Sequence, residues 1–132
     1  MAVPSILKDN LSIPVIGSPL FIISNPDLVI AQCKAGVIGS FPSLNARPEP
    51  VLEEWLDRIT SELKDHNKNN PDNKAAPFAV NQIVHGSNGR LKFDMDMCEK
   101  YEVPIIITSL GAKQWVDACS KGQRILIRLA CV

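Results

Sequence analysis

Two amides stand inside an apolar run, Asn81 and Gln82 within Phe78–Val84. Burying an amide among hydrocarbon side chains costs roughly 1 to 3 kcal/mol unless something pairs with it, so each must find a partner. On a strand the two side chains face opposite ways, so Gln82 is expected to meet a packed helix, while Asn81 is expected to serve a ligand or, on the plainer reading, to satisfy a neighbouring backbone group. Short polar residues recur at the ends of the other apolar runs. Ser18, Pro19 and Leu20 follow Ile13–Ile16, Ser40 lies in Val37–Phe41, and Ser109 with Gly111 follows Pro104–Thr108. If these runs are parallel strands, all of these residues fall at carboxyl ends, where parallel β/α folds bind ligands. Small and amide side chains there can hydrogen-bond an aromatic heterocycle without filling the space it needs. Ser18 and Ser109 also have a plainer reading as helix N-caps, a position Ser favours strongly.

Other groups carry less chemistry. His85 follows the third strand and could face a substrate, but no nucleophile or carboxylate is placed beside it in sequence, and a turn histidine is more often a surface residue. His66 falls in a polar segment and should be solvated. Asp94 and Asp96 cannot share one helix face as an acid/base pair and read as surface charges. Gly86, Ser87, Asn88 and Gly89 lack the Walker spacing and its Lys, so they read as a turn built on residues that tolerate positive dihedrals. The four cysteines, Cys33, Cys98, Cys119 and Cys131, form no CxxC pair and have no His at zinc-ligand spacing. No metal site is expected, and reduced thiols of a cytoplasmic protein fit best.

The elements that must position these residues alternate between short apolar runs and helix-period segments, as βα units do. Ile13–Ile16 reads as a strand buried on both faces. A helix follows, capped by Ser24 or Asn25, with Pro26 in its first turn and a stop near Gly36. Val37–Phe41 is the second strand. Val51, Leu52, Trp55, Leu56, Ile59 and Leu63 recur at spacings of three and four, giving an amphipathic helix. Asp65–Lys74 is polar and contains Pro71, so it reads as an exposed loop. Phe78–Val84 is the third strand, Leu91–Tyr101 a helix and Pro104–Thr108 the fourth strand. A short helix over Lys113–Ser120 and a candidate fifth strand within Arg124–Val132 complete the pattern.

With 45% hydrophobic residues the chain can build a core. Its 14 basic and 14 acidic side chains cancel, so no net field attracts nucleic acid or anionic lipid. No run reaches membrane-spanning length and no export signal is visible in Met1–Asn10.

The runs PVIGSPLFIISNPDLVIAQCKAGVIGSFPSLNARP, PFAVNQIVHGSNGRL and VPIIITSLGA resemble, in that order, the nitronate monooxygenases, formerly called 2-nitropropane dioxygenases. The resemblance covers about Leu11–Ala112. It implies an α/β fold, a (β/α)8 TIM barrel that holds FMN and oxidises alkyl nitronates with O2. Residues 1–132 would then be the N-terminal portion of that barrel, about four βα units plus the fifth strand, since a closed barrel needs eight strands and roughly 250 residues. The family's Ala-Pro-Met segment falls on Ser18, Pro19 and Leu20, with Leu20 in place of the usual Met. Its flavin-contacting Asn falls on Asn81, and Ser109 is assigned to the same cofactor site. The family's catalytic His and phosphate grip come from later strands, so no catalytic residue is expected within this chain.

After Ala112 the likeness fades, and Arg124 and Arg128 stand where an apolar fifth strand is expected. An early stop or frameshift is the reading given to residues 113–132. Two alternatives accompany the first. One is a truncated, non-catalytic remnant that self-associates through unpaired strand edges. The other is a related FMN-dependent enoyl reductase.

Overall fold

A computed structural model describes Leu7, residues 10–110 and the backbone of Ile125–Leu129. Its helices are α1 (Pro26–Lys34), α2 (Val51–Asn69) and α3 (Leu91–Lys100), and its strands are β1 (Ser40–Pro42), β2 (Ala79–Ile83), β3 (Ile105–Ser109) and β4 (Ile125–Leu129). The four strands form one parallel sheet in the order β1-β2-β3-β4. Strand order that follows chain order, with a helix between each of the first three strands, is a barrel segment. The fold is α/β, a partial (β/α)8 barrel.

The sheet has two unlike faces because side chains alternate along each strand. Phe41, Val80 and Ile106 face the helices and join Val29, Leu52, Leu56, Ile59 and Cys98 in the main core. Ala79, Ile105 and Ile107 occupy the opposite face with Ile38, and Leu7, Leu11 and Ile16 pack on them. That second face corresponds to a barrel interior.

The first predicted strand is reduced to one parallel bridge, Ile16 to Ile38. Val15 turns its N–H back to the Ile13 carbonyl at 2.8 Å, which bends the chain, and Pro14 has no N–H to give. Ile13 and Val15 are therefore exposed rather than buried on both faces. The second predicted strand begins its ladder at Ser40, with Ile38 held only by the bridge.

Helix α1 starts where the sequence pattern places it. Asn25 is the cap, its Oδ1 accepting the Leu28 N–H at 3.0 Å, while Ser24 turns inward. Gly36 follows the C-cap with φ +80°, a dihedral that suits glycine. Close packing explains Gly39, where an added Cβ would stand 2.5 Å from the Val29 carbonyl oxygen.

The stripe on α2 buries Leu52, Leu56, Ile59 and Leu63. At about 1.5–3 kcal/mol for each fully buried aliphatic side chain, this stripe fixes α2 against the sheet. The helix runs on through Asn69, so Asp65–Asn69 is helical rather than loop. Its last turns need no apolar residue because Asn67 accepts the Ala75 N–H at 2.8 Å and Asn70 donates through Nδ2 to the His66 carbonyl at 2.9 Å. The exposed loop begins at Asn70.

Helix α3 corrects the reading of Asp94 as a surface charge. Asp94 is fully buried, and its Oδ1 receives Arg90 Nε at 3.1 Å and Nη2 at 2.9 Å. Asp96, two positions on, stays exposed and pairs with Lys92. The fifth predicted strand exists as β4, in parallel register with β3 and with Arg128 opposite Thr108. The predicted helix Lys113–Ser120 lies outside the described residues.

Candidate functional site

The register of the sheet stacks the candidate residues above the apolar interior face. Ser40 pairs with Ala79, Asn81 with Pro42 and Ile107, and Ser109 with Ile83. Ser40, Asn81 and Ser109 share the parity of Ala79, Ile105 and Ile107, so all three belong to the interior face at or toward its carboxyl end.

Asn81 is almost fully buried. Its Nδ2 donates to the Ile107 carbonyl at 3.1 Å and to Ser109 Oγ at 2.9 Å. A peptide carbonyl only accepts, so these bonds fix which end of the amide carries the hydrogens. Oδ1 receives no hydrogen bond from any described residue. The described residues therefore meet the donor half of this amide and give its acceptor no partner. Ser109 is the last residue of β3 rather than a helix cap, and it acts on the site by holding Asn81.

Gln82 turns the other way, as its parity requires. It is fully buried against the helices, accepting from Ser43 Oγ at 3.0 Å and donating to Cys98 Sγ at 3.3 Å. This side chain welds β2 to the turn after β1 and to α3, and has no ligand role.

Ser18, Pro19 and Leu20 form the chain leaving the Ile16 bridge. Ser18 is exposed and is not a helix cap. Its carbonyl lies 3.4 Å from the Ser24 hydroxyl, which also accepts the Leu20 N–H at 2.9 Å. The Ser40 hydroxyl donates to the Gly17 carbonyl, tying the start of this segment to β1.

Sequence reasoning missed the residue that shapes the rest of the loop. Asn45 donates to the Leu20 and Ser24 carbonyls, each at 2.9 Å, and accepts the Ile22 N–H at 3.1 Å. This clamp holds Ile22 at φ 67°, a left-handed conformation unusual for a β-branched residue. Leu20, Phe21, Ile22 and Ile23 all expose much of their side chains, and the Arg47 guanidinium lies 5.4 Å from the centre of the Phe21 ring. Leu110, directly after Ser109, is also exposed and has positive φ. An apolar rim thus stands near the carboxyl ends of the strands.

Beyond β2, His85 Nδ1 lies 2.8 Å from Ser87 Oγ, so a hydroxyl does stand beside this histidine. A local i,i+2 contact of this kind leaves no periodic trace in a sequence.

No protein-family model and no curated protein matches the chain. A solved structure of FabK from Thermotoga maritima is similar to it, with a TM-score of 0.64 and 15% identity over 95% of this chain. The barrel architecture is shared. At that identity the likeness speaks of fold, and the chain spans 35% of the FabK chain.

A cleft of about 410 Å³ opens at the other end of the sheet, lined among others by Asn10, Thr60, Leu63, Phe78, Tyr101 and Pro104. Phe78 and Pro104 precede β2 and β3, which places it at the amino ends of the strands. In barrels that end serves stability, so the carboxyl end remains the candidate site despite being open rather than enclosed. Among the described residues no group of three or more His, Cys, Asp or Glu could hold a metal, and no helix is long and apolar enough to cross a membrane.

Proposed function

We propose that this chain is the flavin-ring-binding portion of an FMN-dependent oxidoreductase of the nitronate monooxygenase type, acting on alkyl nitronates and O2. The observation that carries the reading is Asn81. Its amide is oriented by two bonds to β3, its acceptor has no partner among the described residues, and it sits above an apolar floor at the carboxyl end of a parallel sheet. The resemblance in sequence had assigned the same residue to the flavin, and the barrel fold agrees with it.

The residues fit the ring of the cofactor. Asn81 would accept from a ring N–H, Ser109 would keep the amide turned, and the Ser18-Pro19-Leu20 backbone would lie against the ring. When bound, FMN would supply redox chemistry, taking electrons from the nitronate and passing them to O2. The chain's own part is to hold and orient the ring, and the apolar rim Leu20–Ile23 would exclude water from one side.

A titration of the chain with FMN, followed by flavin fluorescence, tests this reading. Saturable uptake that Asn81→Leu weakens at least tenfold is expected, and a chain that takes up no FMN would overturn it. The FabK-like fold favours a second reading, an FMN-dependent enoyl reductase. Oxidation of a nicotinamide cofactor that depends on an enoyl thioester would select it. Self-association through open strand edges accompanies either reading, and sedimentation across a concentration series checks it.

A further inference from the structure

The hydrogen bonds around the two histidines reveal which ring nitrogen carries the proton in the neutral form. A backbone N–H can only donate, so the Ser87 N–H that reaches His85 Nδ1 at 3.2 Å finds a lone pair there. The Ser87 hydroxyl lies 2.8 Å from the same nitrogen. The neutral ring therefore carries its hydrogen on Nε2. That nitrogen has no hydrogen-bond partner among the described residues, and His85 is exposed.

His66 gives the contrast. Its Nε2 faces the Asn73 carbonyl at 3.1 Å, which can only accept, and its Nδ1 faces Asn70 Nδ2 at 3.4 Å. The tautomer is the same, but its hydrogen is already used to hold a loop.

Position makes the His85 hydrogen useful. The Val84 N–H donates to the Ser109 carbonyl at 2.9 Å, so β2 and β3 remain joined up to the point where His85 leaves the sheet. Asn81, tied to the Ser109 hydroxyl, lies four positions earlier on the same strand. Asn88 closes the turn, its N–H donating to the His85 carbonyl and its Nδ2 to the Ile83 carbonyl, both at 2.9 Å. A Cβ added at Gly86 or Gly89 would meet nothing within 4 Å, so space beside the turn is open.

The geometry points to His85 as a substrate-binding donor, its Nε2–H offered to an oxygen of a small planar oxyanion at the carboxyl end of the sheet, with Ser87 as its positioning residue. The substrate class, a nitronate, rests on the function proposed above. A neutral imidazole suits this task because its one hydrogen is aimed by the bonds made at the other nitrogen.

Nitrogen-15 NMR of the full chain, in which His66 and His85 are the only histidines, tests the inference. Long-range proton–nitrogen correlations should show both neutral rings protonated at Nε2. Ethylnitronate, added under argon without FMN, should move the His85 ring signals and leave those of His66 in place. His85→Ala should weaken ethylnitronate binding by roughly three- to tenfold, the range for one lost hydrogen bond. His85→Gln, which restores an N–H donor, should recover most of the loss. Ser87→Ala, which removes the hydroxyl but keeps the backbone N–H at Nδ1, should weaken the His85 preference for Nε2 protonation only in part and leave the His66 tautomer unchanged, and Gly86→Ala should bind as the parent does. A His85 ring protonated at Nδ1, ring signals unmoved by ethylnitronate, or unchanged affinity in His85→Ala would each overturn the inference. FMN uptake is measured separately on the same samples. A chain that binds ethylnitronate through His85 but takes up no FMN would sink the flavin reading and leave this donor role standing.

Discussion

Asn81 Nδ2 and Ser109 Oγ lie 2.9 Å apart across the β2–β3 ladder, and the same nitrogen reaches the Ile107 carbonyl at 3.1 Å. Both acceptors belong to β3, so the amide is turned sideways within the sheet. Asn81→Asp would set a carboxylate oxygen against a carbonyl oxygen. It should lower stability by about 1–3 kcal/mol, the scale of a lost buried hydrogen bond and an unpaired polar group. Ser109→Ala loses one bond and should cost about 1 kcal/mol or less. Urea unfolding of both variants checks the order, and equal midpoints would contradict the described pairing.

Ile22 carries backbone strain without compensation from burial, being 74% exposed at φ 67°. Left-handed backbone costs an L-residue with a Cβ about 1–2 kcal/mol, and β-branching adds to the crowding. Ile22→Asn should therefore raise the melting temperature. Asn45→Ala should do the reverse, because it removes the three bonds that impose the conformation. A thermal melt in which both variants fall below the parent would argue that the Ile22 side chain packs on something.

What could be read from the sequence followed from periodicity. The spacing of Leu52, Leu56, Ile59 and Leu63 placed α2, and period two separated Asn81 from Gln82 onto the faces they occupy. Three features were hidden for physical reasons. Ile13–Ile16 has strand composition, but its ladder depends on neighbours, and the Val15 N–H bends back instead. Asn67 and Asn70 extend α2 through side-chain bonds that hydrophobic patterning cannot register. Asp94 follows an exposed helix pattern; Arg90 stands one turn before it, but only the fold brings the Ser43 and Ala46 carbonyls against the Arg90 guanidinium and so buries the pair. The site divides in the same way. Ser18, Asn81 and Ser109 stand out in the sequence as polar residues at the ends of apolar runs, whereas Asn45 acts through three bonds to residues more than twenty positions earlier.

Arg90 joins α3 to the turn after β1, donating to the Ala46 carbonyl at 2.8 Å and to Ser43 at 3.4 Å while pairing with Asp94. Asp94 is fully buried, and its Oδ2 has no partner among the described residues. Removing Arg90 alone would strand that carboxylate, a change that costs about 3–5 kcal/mol in comparable sites. Exchanging both residues for apolar ones of similar size need not. Arg90→Met should therefore be strongly destabilising, and adding Asp94→Leu should recover at least half of the loss. A denaturation cycle over the single and double variants decides it, and additive losses would show that the pair is not coupled.

Cys33 gives the chain an alkaline weakness. Burial raises its thiol from the ordinary value to about 11, with the Gly39 backbone hydrogen bond opposing in part. An acid whose folded pKa exceeds its unfolded one keeps a proton that the unfolded chain has already released. Stability from this group is complete below the unfolded value near 9 and falls as pH rises toward 11. Roughly 2–3 kcal/mol is at stake over that interval, at about 1.4 kcal/mol for each pKa unit. Lys100 and Tyr101 are also raised and add slope of the same sign, so the informative comparison is with Cys33→Ala. That variant should start less stable at neutral pH, because a buried sulfur is lost from the core, yet decline less steeply between pH 9 and pH 11. Parallel urea midpoints for the two proteins across that window would mean that the Cys33 thiol is not held protonated by burial.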